Sequence, residues 1–304
     1  MPTILIAGGT GLVGKRLSTL LKERQYEVLH LSRRSNPKAV FPTYRWDPAT
    51  GFIEPEAVKR ADYIINLAGA GIADARWTAA RKRLIIESRG QSAELLQTAM
   101  QSPSAKARAY ISAAAIGYYG NSGDQLVDET SPAGEGFLAE SCLAWEGSIQ
   151  KVATATGLRT VGLRIGIVLS TQGGALEKML IPLRFGLNTY FGNGRQWYSW
   201  VHLDDVCRLF IAAIENAQMA GMYNAVAPNP VSNYQLSVAL GKAWARPAVL
   251  LPAPAFALRL AMGEMAEVVL NSNCVSADKA LATGFEFQHP NLDEALSDVL
   301  RRKV

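Results

Sequence analysis

The 304-residue sequence predicts an α/β protein, a doubly wound parallel sheet flanked by helices, with a smaller, mostly helical C-terminal part. Three observations predict it. Short apolar runs that read as buried strands alternate with helix-length stretches through about residue 226. The first of these runs turns through three evenly spaced glycines into a helix. Beyond Ala227-Pro-Asn-Pro230 the alternation stops and three helix-like segments follow.

The first element is Thr3–Gly14. Ile4–Ile6 make a short buried strand, Gly8, Gly11 and Gly14 recur at three-residue spacing, and the chain enters a helix over Lys15–Arg24. One glycine serves the turn's backbone angles, one lets the backbone approach a pyrophosphate, and one lets helix pack on strand. The helix N-terminus then offers unpaired N–H groups and partial positive charge to phosphates. This order of strand, glycine turn and helix is the dinucleotide-binding signature of a Rossmann-type sheet.

Glu27–Ser32 reads as the second strand, and the residues after it discriminate between cofactors. An acidic residue there would bind a free ribose 2′-hydroxyl, whereas arginine accepts a 2′-phosphate. The chain has Ser32-Arg33-Arg34-Ser35, so NADP(H) is expected over NAD(H). Ala61–Gly69 is the next strand and its small-residue end, with Leu67, Ala68 and Gly69 expected on the adenosine side. A helix over Thr78–Met100 follows, with Leu84, Ile85, Leu95, Leu96 and Ala99 on one face and Arg89 at its middle, facing either solvent or the nucleotide.

Ala109–Gly120 reads as a strand with Ser112 at its end and the pair Tyr118-Tyr119 beyond. Thr160–Leu169 is another buried strand, and Arg164 within it must find a partner for its charge. After a helix over Leu176–Phe185, the loop from Gly192 to Asp205 gathers Trp197, Tyr198 and Trp200 with Arg195, Gln196, Ser199 and His202. Stacking faces beside hydrogen-bonding groups suit a polar, ring-bearing substrate, and Arg195, Trp197 and His202 are its candidate contacts. Trp200 and Val201 read equally as core, and His202 as a turn brace. A helix over Val206–Asn216 and a last strand over Gly221–Val226 complete the sheet. Helices over Asn233–Ala245, Pro254–Leu270 and Asn291–Arg302 follow, joined by irregular segments at 247–252 and 285–290. The expected domains are 1–169 with 201–227 for the cofactor, and 170–200 with 228–304 for the substrate.

Composition narrows the function classes. Hydrophobic residues make up 49% and charged residues 19%, enough apolar surface for a large core. The net charge of +5 comes from scattered basic residues, with dense runs only at Arg81-Lys82-Arg83 and Arg301-Arg302-Lys303, so nucleic acid is not an expected partner. Three distant cysteines, Cys142, Cys207 and Cys274, have no metal-ligand spacing, so neither disulfides nor a metal is expected. The most apolar late stretch, Val249–Leu270, is interrupted by Pro252, Pro254, Arg259, Glu264 and Glu267 and cannot span a membrane. With no visible secretion signal, a cytoplasmic location is expected; a homodimer is left open.

At Gly8–Gly14, Asn66-Leu-Ala-Gly69, Ser112 and Tyr118-Tyr-Gly120 the chain resembles the extended short-chain dehydrogenase/reductase superfamily. Arg76-Trp77, Glu87-Ser-Arg89, the Gly192–Asp205 loop and Ala227-Pro-Asn-Pro230 narrow the resemblance to the NAD-dependent epimerase/dehydratase family and its atypical YfcH-like members, which carry a small C-terminal domain of unknown function. The resemblance implies NADP contacts at Gly8, Thr10, Gly11, Leu12, Val13, Gly14, Ser32, Arg33, Leu67, Ala68, Arg89 and Val168. It also implies a serine, a tyrosine and a lysine four residues later as the reacting groups. The chain departs from that pattern: Glu129–Gln150 holds neither tyrosine nor lysine, and the corresponding positions read Phe137 or Leu138, then Ser141 or Cys142. The expected catalytic candidates are therefore Ser112, Tyr118 and Tyr119, with Glu140 as another proton carrier. The implied function is NADP(H)-dependent oxidoreduction or epimerisation of a sugar-nucleotide-like or other polar carbonyl or alcohol. A non-catalytic NADP(H)-binding module, sensing redox state or bridging a partner, is the alternative.

Overall fold

The computed structural model describes residues 1–36 and 38–301; Pro37 and the predicted basic residues Arg302 and Lys303 lie outside the described residues. The chain begins with β1 (Thr3–Ala7), α1 (Leu12–Glu23), β2 (Glu27–Ser32), β3 (Thr43–Asp47), β4 (Phe52–Ile53), α2 (Pro55–Arg60), β5 (Tyr63–Asn66), α3 (Ala79–Met100) and β6 (Ala109–Ala115). A 3₁₀ turn at Ile116–Tyr119 leads to β7 (Leu126–Val127), α4 (Phe137–Thr156), β8 (Arg159–Ile165) and β9 (Ile167–Leu169). Next come α5 (Gly174–Leu183), β10 (Leu187–Phe191), β11 (Trp197–Tyr198), β12 (Trp200–His202), α6 (Leu203–Glu215) and β13 (Gly221–Ala225). The C-terminal part holds β14 (Val231–Ser232), α7 (Asn233–Trp244), β15 (Val249–Ala253), α8 (Ala255–Met262), α9 (Glu267–Leu270), β16 (Cys274–Val275), α10 (Asp278–Leu281) and α11 (Leu292–Arg301).

The main sheet runs β13-β8-β6-β5-β1-β2-β3-β4, parallel throughout except for the β3–β4 edge. Strand β1 is buried over its whole length because helices cover both faces, as a parallel sheet requires. One core layer joins β1, β6 and β8 to Leu17 and Leu21 of α1 and to Val206–Ile214 of α6. The opposite layer joins the sheet to Val58, Leu95, Leu96 and Ile149 of α2, α3 and α4. Between β1 and β5 the strand order reverses, which opens a crevice outside the strands' carboxyl ends.

A second core packs α5, α7 and α11 around the fully buried Trp200. Several features depart from the sequence expectation, among them the split of the strand expected over Thr160–Leu169 into β8 and β9. The segment at 247–252, expected to be irregular, forms β15 and pairs in parallel with β10 over five residues. Pro252 fits there because the ladder has only two strands and leaves an outer edge that needs no donor. The helix expected over Pro254–Leu270 breaks at Gly263, where φ is +63°, into α8, a 3₁₀ turn and α9. The C-terminal part also folds back across the expected boundary: Ala280 and Phe285 join the first core rather than the second. Among the described residues, no helix is long and apolar enough to cross a membrane.

Candidate cofactor and substrate cleft

The glycine turn is shaped by close backbone approach. Gly8 has φ +81°, and a Cβ there would lie 2.8 Å from the carbonyl carbon of Leu67. A Cβ on Gly14 would lie 2.4 Å from the Gly8 carbonyl oxygen, so α1 starts pressed against the turn. Thr10 and Gly11 are exposed on the outer side. The Leu12 side chain reaches Gly173 and Gly174, which places the backbone after β9, with Val168, beside Leu12 and Val13 at the first core's margin.

His30 of β2 lies beneath the turn, its ring occupying the space a Cβ on Gly9 would need. Its Nε2 pairs with the Ser18 hydroxyl at 2.7 Å, and that hydroxyl also donates to the Gly14 carbonyl. Burial lowers the imidazole pKa from 6.5 to about 4. Between those values the unfolded chain takes up a proton that the folded chain refuses, so stability falls as pH falls from about 6.5 to 4. Acid titration of the urea midpoint should show this loss over that interval, and His30→Gln should flatten it.

Ser32 ends β2 half-buried, and Arg33 and Arg34 follow it exposed. Across the crevice, Leu67 and Ala68 are half-buried and Gly69 is exposed. The Arg89 side chain lies against Gly69: a Cβ there would be 3.1 Å from Arg89 Cγ. Arg89 donates to the Ile85 carbonyl at 2.6 Å, and its guanidinium stacks 4.5 Å from the Trp145 ring centre. Among the described residues no carboxylate pairs with it. Burial, with the charge of Arg81, depresses its pKa.

Arg89 lines a cleft of about 240 Å³ at the carboxyl ends of β6 and β8. Ala115, Ile116 and Gly117 form one wall, Ile165–Ile167 another, and Leu138, Ser141, Cys142 and Trp145 of α4 a third. Trp197–Ser199 and residues 267–273 close it from the C-terminal side. Of the alternatives at the Tyr-x-x-x-Lys positions, Leu138 and Cys142 face the β6 turn, 3.5 and 3.4 Å from where a Cβ on Gly117 would be. Phe137 instead packs edge-on against Trp77. Neither cleft residue exchanges a proton near neutral pH. Burial, then Glu146, pushes the Cys142 thiol up to about 12.

The candidate catalytic residues fall elsewhere. Ser112 is not at the strand end. It sits mid-strand opposite Asn66, fully buried, with its hydroxyl donated to the Ala113 carbonyl at 3.0 Å; Ala115 is the β6 residue that reaches the cleft. Tyr119 is 3% exposed, accepts from Arg164 at 2.8 Å and donates to Asn224 Oδ1 at 2.8 Å. Burial raises its pKa to about 12 despite Arg164. Tyr118 is half-buried and covers the Arg164 guanidinium, 3.6 Å from its ring centre. Arg164 finds the partner its charge required in Glu146, through two hydrogen bonds of 2.8 Å. The tyrosine pair thus braces a buried ion pair and does not line the cleft. Tyr119→Phe leaves the Asn224 acceptor and an Arg164 donor short of a partner, so it should cost about 1–3 kcal/mol in chemical denaturation. Glu140 is exposed and lies outside the cleft lining.

The three loop residues expected to share a substrate are not brought together. Trp197 lines the cleft and donates its indole N–H to Asp124 at 2.9 Å. Arg195 is exposed on a separate open groove with Arg259. His202 is 1% exposed and caps α6: its Nδ1 accepts the Asp204 N–H, its Nε2 faces Asp298 at 3.1 Å, and its ring stacks on His289. Its cap on α6 is the turn-brace role given as the alternative, and its contact with Asp298 also reaches α11. Asn273 was not anticipated, because an isolated asparagine after an irregular stretch carries no local signal.

A parallel sheet with a glycine turn at its switch point, and a cleft over β6 and β8 closed by a C-terminal part, define a dinucleotide-binding protein of the extended short-chain dehydrogenase/reductase type. The comparisons agree. Residues 4–225 match the NAD dependent epimerase/dehydratase family, and residues 253–299 match a domain of unknown function, DUF1731. The chain belongs to the NAD dependent epimerase/dehydratase family. Epimerase family protein ML0860 of Mycobacterium leprae is 36% identical, covering 97% of this chain and 94% of its own. Epimerase family protein SDR39U1 of Mus musculus is 33% identical, covering 98% and 99%. The crystal structure of human epimerase family protein SDR39U1 (isoform 2) with NADPH superposes with a TM-score of 0.86 at 30% identity, covering 98% and 99%. UDP-N-acetylglucosamine 4-epimerase from Bacillus cereus, 16% identical with a TM-score of 0.77, covers 98% of each chain and shares the fold.

Proposed function

We propose that the protein is an NADP(H)-dependent oxidoreductase or epimerase acting on a carbonyl or alcohol, with sugar nucleotides and simpler polar alcohols as the substrate classes to test. One observation carries the reading: the cleft at the ends of β6 and β8 contains Arg89, a cation with no carboxylate partner among the described residues, whose side chain lies against Gly69 of the adenosine-side segment Leu67–Gly69. The human relative crystallised with NADPH supports the choice of cofactor.

The chain's own groups fit that cofactor. The Gly8–Gly14 turn and the α1 N-terminus hold the pyrophosphate, and only glycine fits where Gly8 meets Leu67. Ser32, Arg33 and Arg34 hold the 2′-phosphate, Leu67, Ala68 and Gly69 border the adenosine, and Val168 borders the crevice from β9. Arg89 supplies positive charge between the two halves. The bound nicotinamide supplies hydride transfer. Ala115 and Gly166, with little or no side chain, leave room for a ring at the cleft floor. Glu267, the one carboxylate on the cleft wall among the described residues, carries the proton that Leu138 and Cys142 cannot.

A non-catalytic NADP(H)-binding module is the second reading, favoured by Leu138 and Cys142 standing where proton-exchanging groups are expected. Purified protein with NADP⁺ or NADPH and a panel of alcohols and carbonyls, followed by nicotinamide absorbance, separates the two. Turnover that Glu267→Gln reduces more than tenfold, with NADPH affinity unchanged, supports the enzyme. Tight NADPH binding with no turnover across the panel supports the module.

A further inference from the structure

The β10–β15 ladder turns one face inward and presents apolar side chains on the other. Asn188 is buried and its amide donates to the Ser237 carbonyl of α7 at 2.6 Å, so that face of β10 meets the second core. The register sets Leu187 beside Val249 and Thr189 beside Leu251, and successive strand residues alternate faces, so these four share the opposite face. Leu187, Val249 and Leu251 are all exposed there. Phe185, 79% exposed, stands at the amino end of the ladder, where the Val249 N–H donates to the Gly186 carbonyl at 2.9 Å. Isolated apolar side chains are ordinary on a surface, but several in one ladder and its entry turn mark an interaction face.

The charge around it has one sign. Residues 178–195 and 242–263, which hold the ladder and its flanks, contain lysines and arginines but no aspartate or glutamate. Arg184 precedes Phe185, and Arg246 precedes Pro247, whose carbonyl oxygen would lie 3.8 Å from a Cβ on Gly186. Both arginines are exposed, and neither is in a salt bridge among the described residues. Lys242 is left out of this count because it shares a groove with Asp293 and Glu294. A second copy of the chain is a poor occupant: twofold pairing would set the face against itself, arginine toward arginine. An added strand is a poor one too. The Val249 N–H points at β10, so Pro252 stands at an outward position of β15 and offers no donor. A bilayer with anionic headgroups answers both properties, since phosphates meet the arginines while apolar side chains enter the headgroup boundary. We propose that this face seats the protein on an anionic membrane surface, lying on the bilayer without crossing it.

The test sediments the full-length protein with vesicles of phosphatidylcholine alone and with vesicles containing about 30% phosphatidylglycerol. Partition onto the anionic vesicles should be at least about tenfold stronger and should fall steeply as salt rises to about 0.5 M. Phe185→Ser should weaken it about tenfold, through the lost insertion of an aromatic ring. The pair Arg184→Gln with Arg246→Gln should weaken it by about tenfold or more. Leu126→Ser, at an exposed leucine of β7, should leave it unchanged. Equal partition onto the two kinds of vesicle, or onto neither, overturns the proposal, and this wild-type comparison decides even where a variant fails to fold. Anionic-vesicle binding that survives Phe185→Ser or the double arginine replacement also overturns it. Binding to poly-L-glutamate but not to anionic vesicles assigns the face to an acidic protein partner instead.

Discussion

Arg33→Ala is expected to weaken NADPH binding by about ten- to a hundredfold while leaving NADH binding within about twofold, measured by calorimetry on both cofactors. A 2′-phosphate carries the charge that separates the two cofactors, and a guanidinium holds it through charge-assisted hydrogen bonds that a hydroxyl cannot replace. Arg33 and Arg34 are placed to do so: both are exposed immediately after β2, and neither is engaged in a salt bridge among the described residues. The loss should shrink with added salt, since the site is open to solvent. An equal loss for NADPH and NADH would place Arg33 on a part of the cofactor that the two share.

The second large effect concerns the buried ion pair behind the cleft. Arg164→Met should destabilise the fold by about 3–5 kcal/mol in urea denaturation, because it strands the Glu146 carboxylate beneath α4 without a cation. Arg164 is 3% exposed. Burial alone would disfavour its charge, yet Glu146 holds the guanidinium pKa above its usual value. Converting both partners, Arg164→Met with Glu146→Leu, should recover more than half of the loss, since neither charge is then left behind. Additive losses would mean that the two groups act separately. Trp145 and Cys142 precede Glu146 on α4 and line the cleft, so the pair also fixes how that helix faces the substrate space.

The fold was readable because its signals are local. Ile4–Ile6 followed by Gly8, Gly11 and Gly14 encodes strand, turn and helix within a dozen residues, and the main parallel strands stand close to where their apolar runs place them. Candidates for the cofactor side of the site are legible for the same reason, since the Gly8–Gly14 turn, Arg33 and Leu67–Gly69 each follow a recognisable strand. The substrate side was not. Ser112 lies only three residues before Ala115, yet successive strand residues alternate faces and the cleft lies beyond the strand's end, so a small misjudgement of that end moves the residue out of the site. Tyr119 and His202 are the residue types that do proton chemistry, but their partners, Asn224, Arg164 and Asp298, come from distant segments whose approach no local pattern reveals. The β10–β15 ladder was hidden likewise, because its pairing spans about sixty residues and its second strand contains a proline.

The central claim is that one crevice, running from the glycine turn to the β6–β8 cleft, holds NADP(H). Parallel titration of the wild-type protein with NADPH and NADH tests it most directly. The account predicts NADPH binding at least about tenfold tighter, as the two-arginine site after β2 requires. Equal affinities, or binding of neither cofactor, would contradict it.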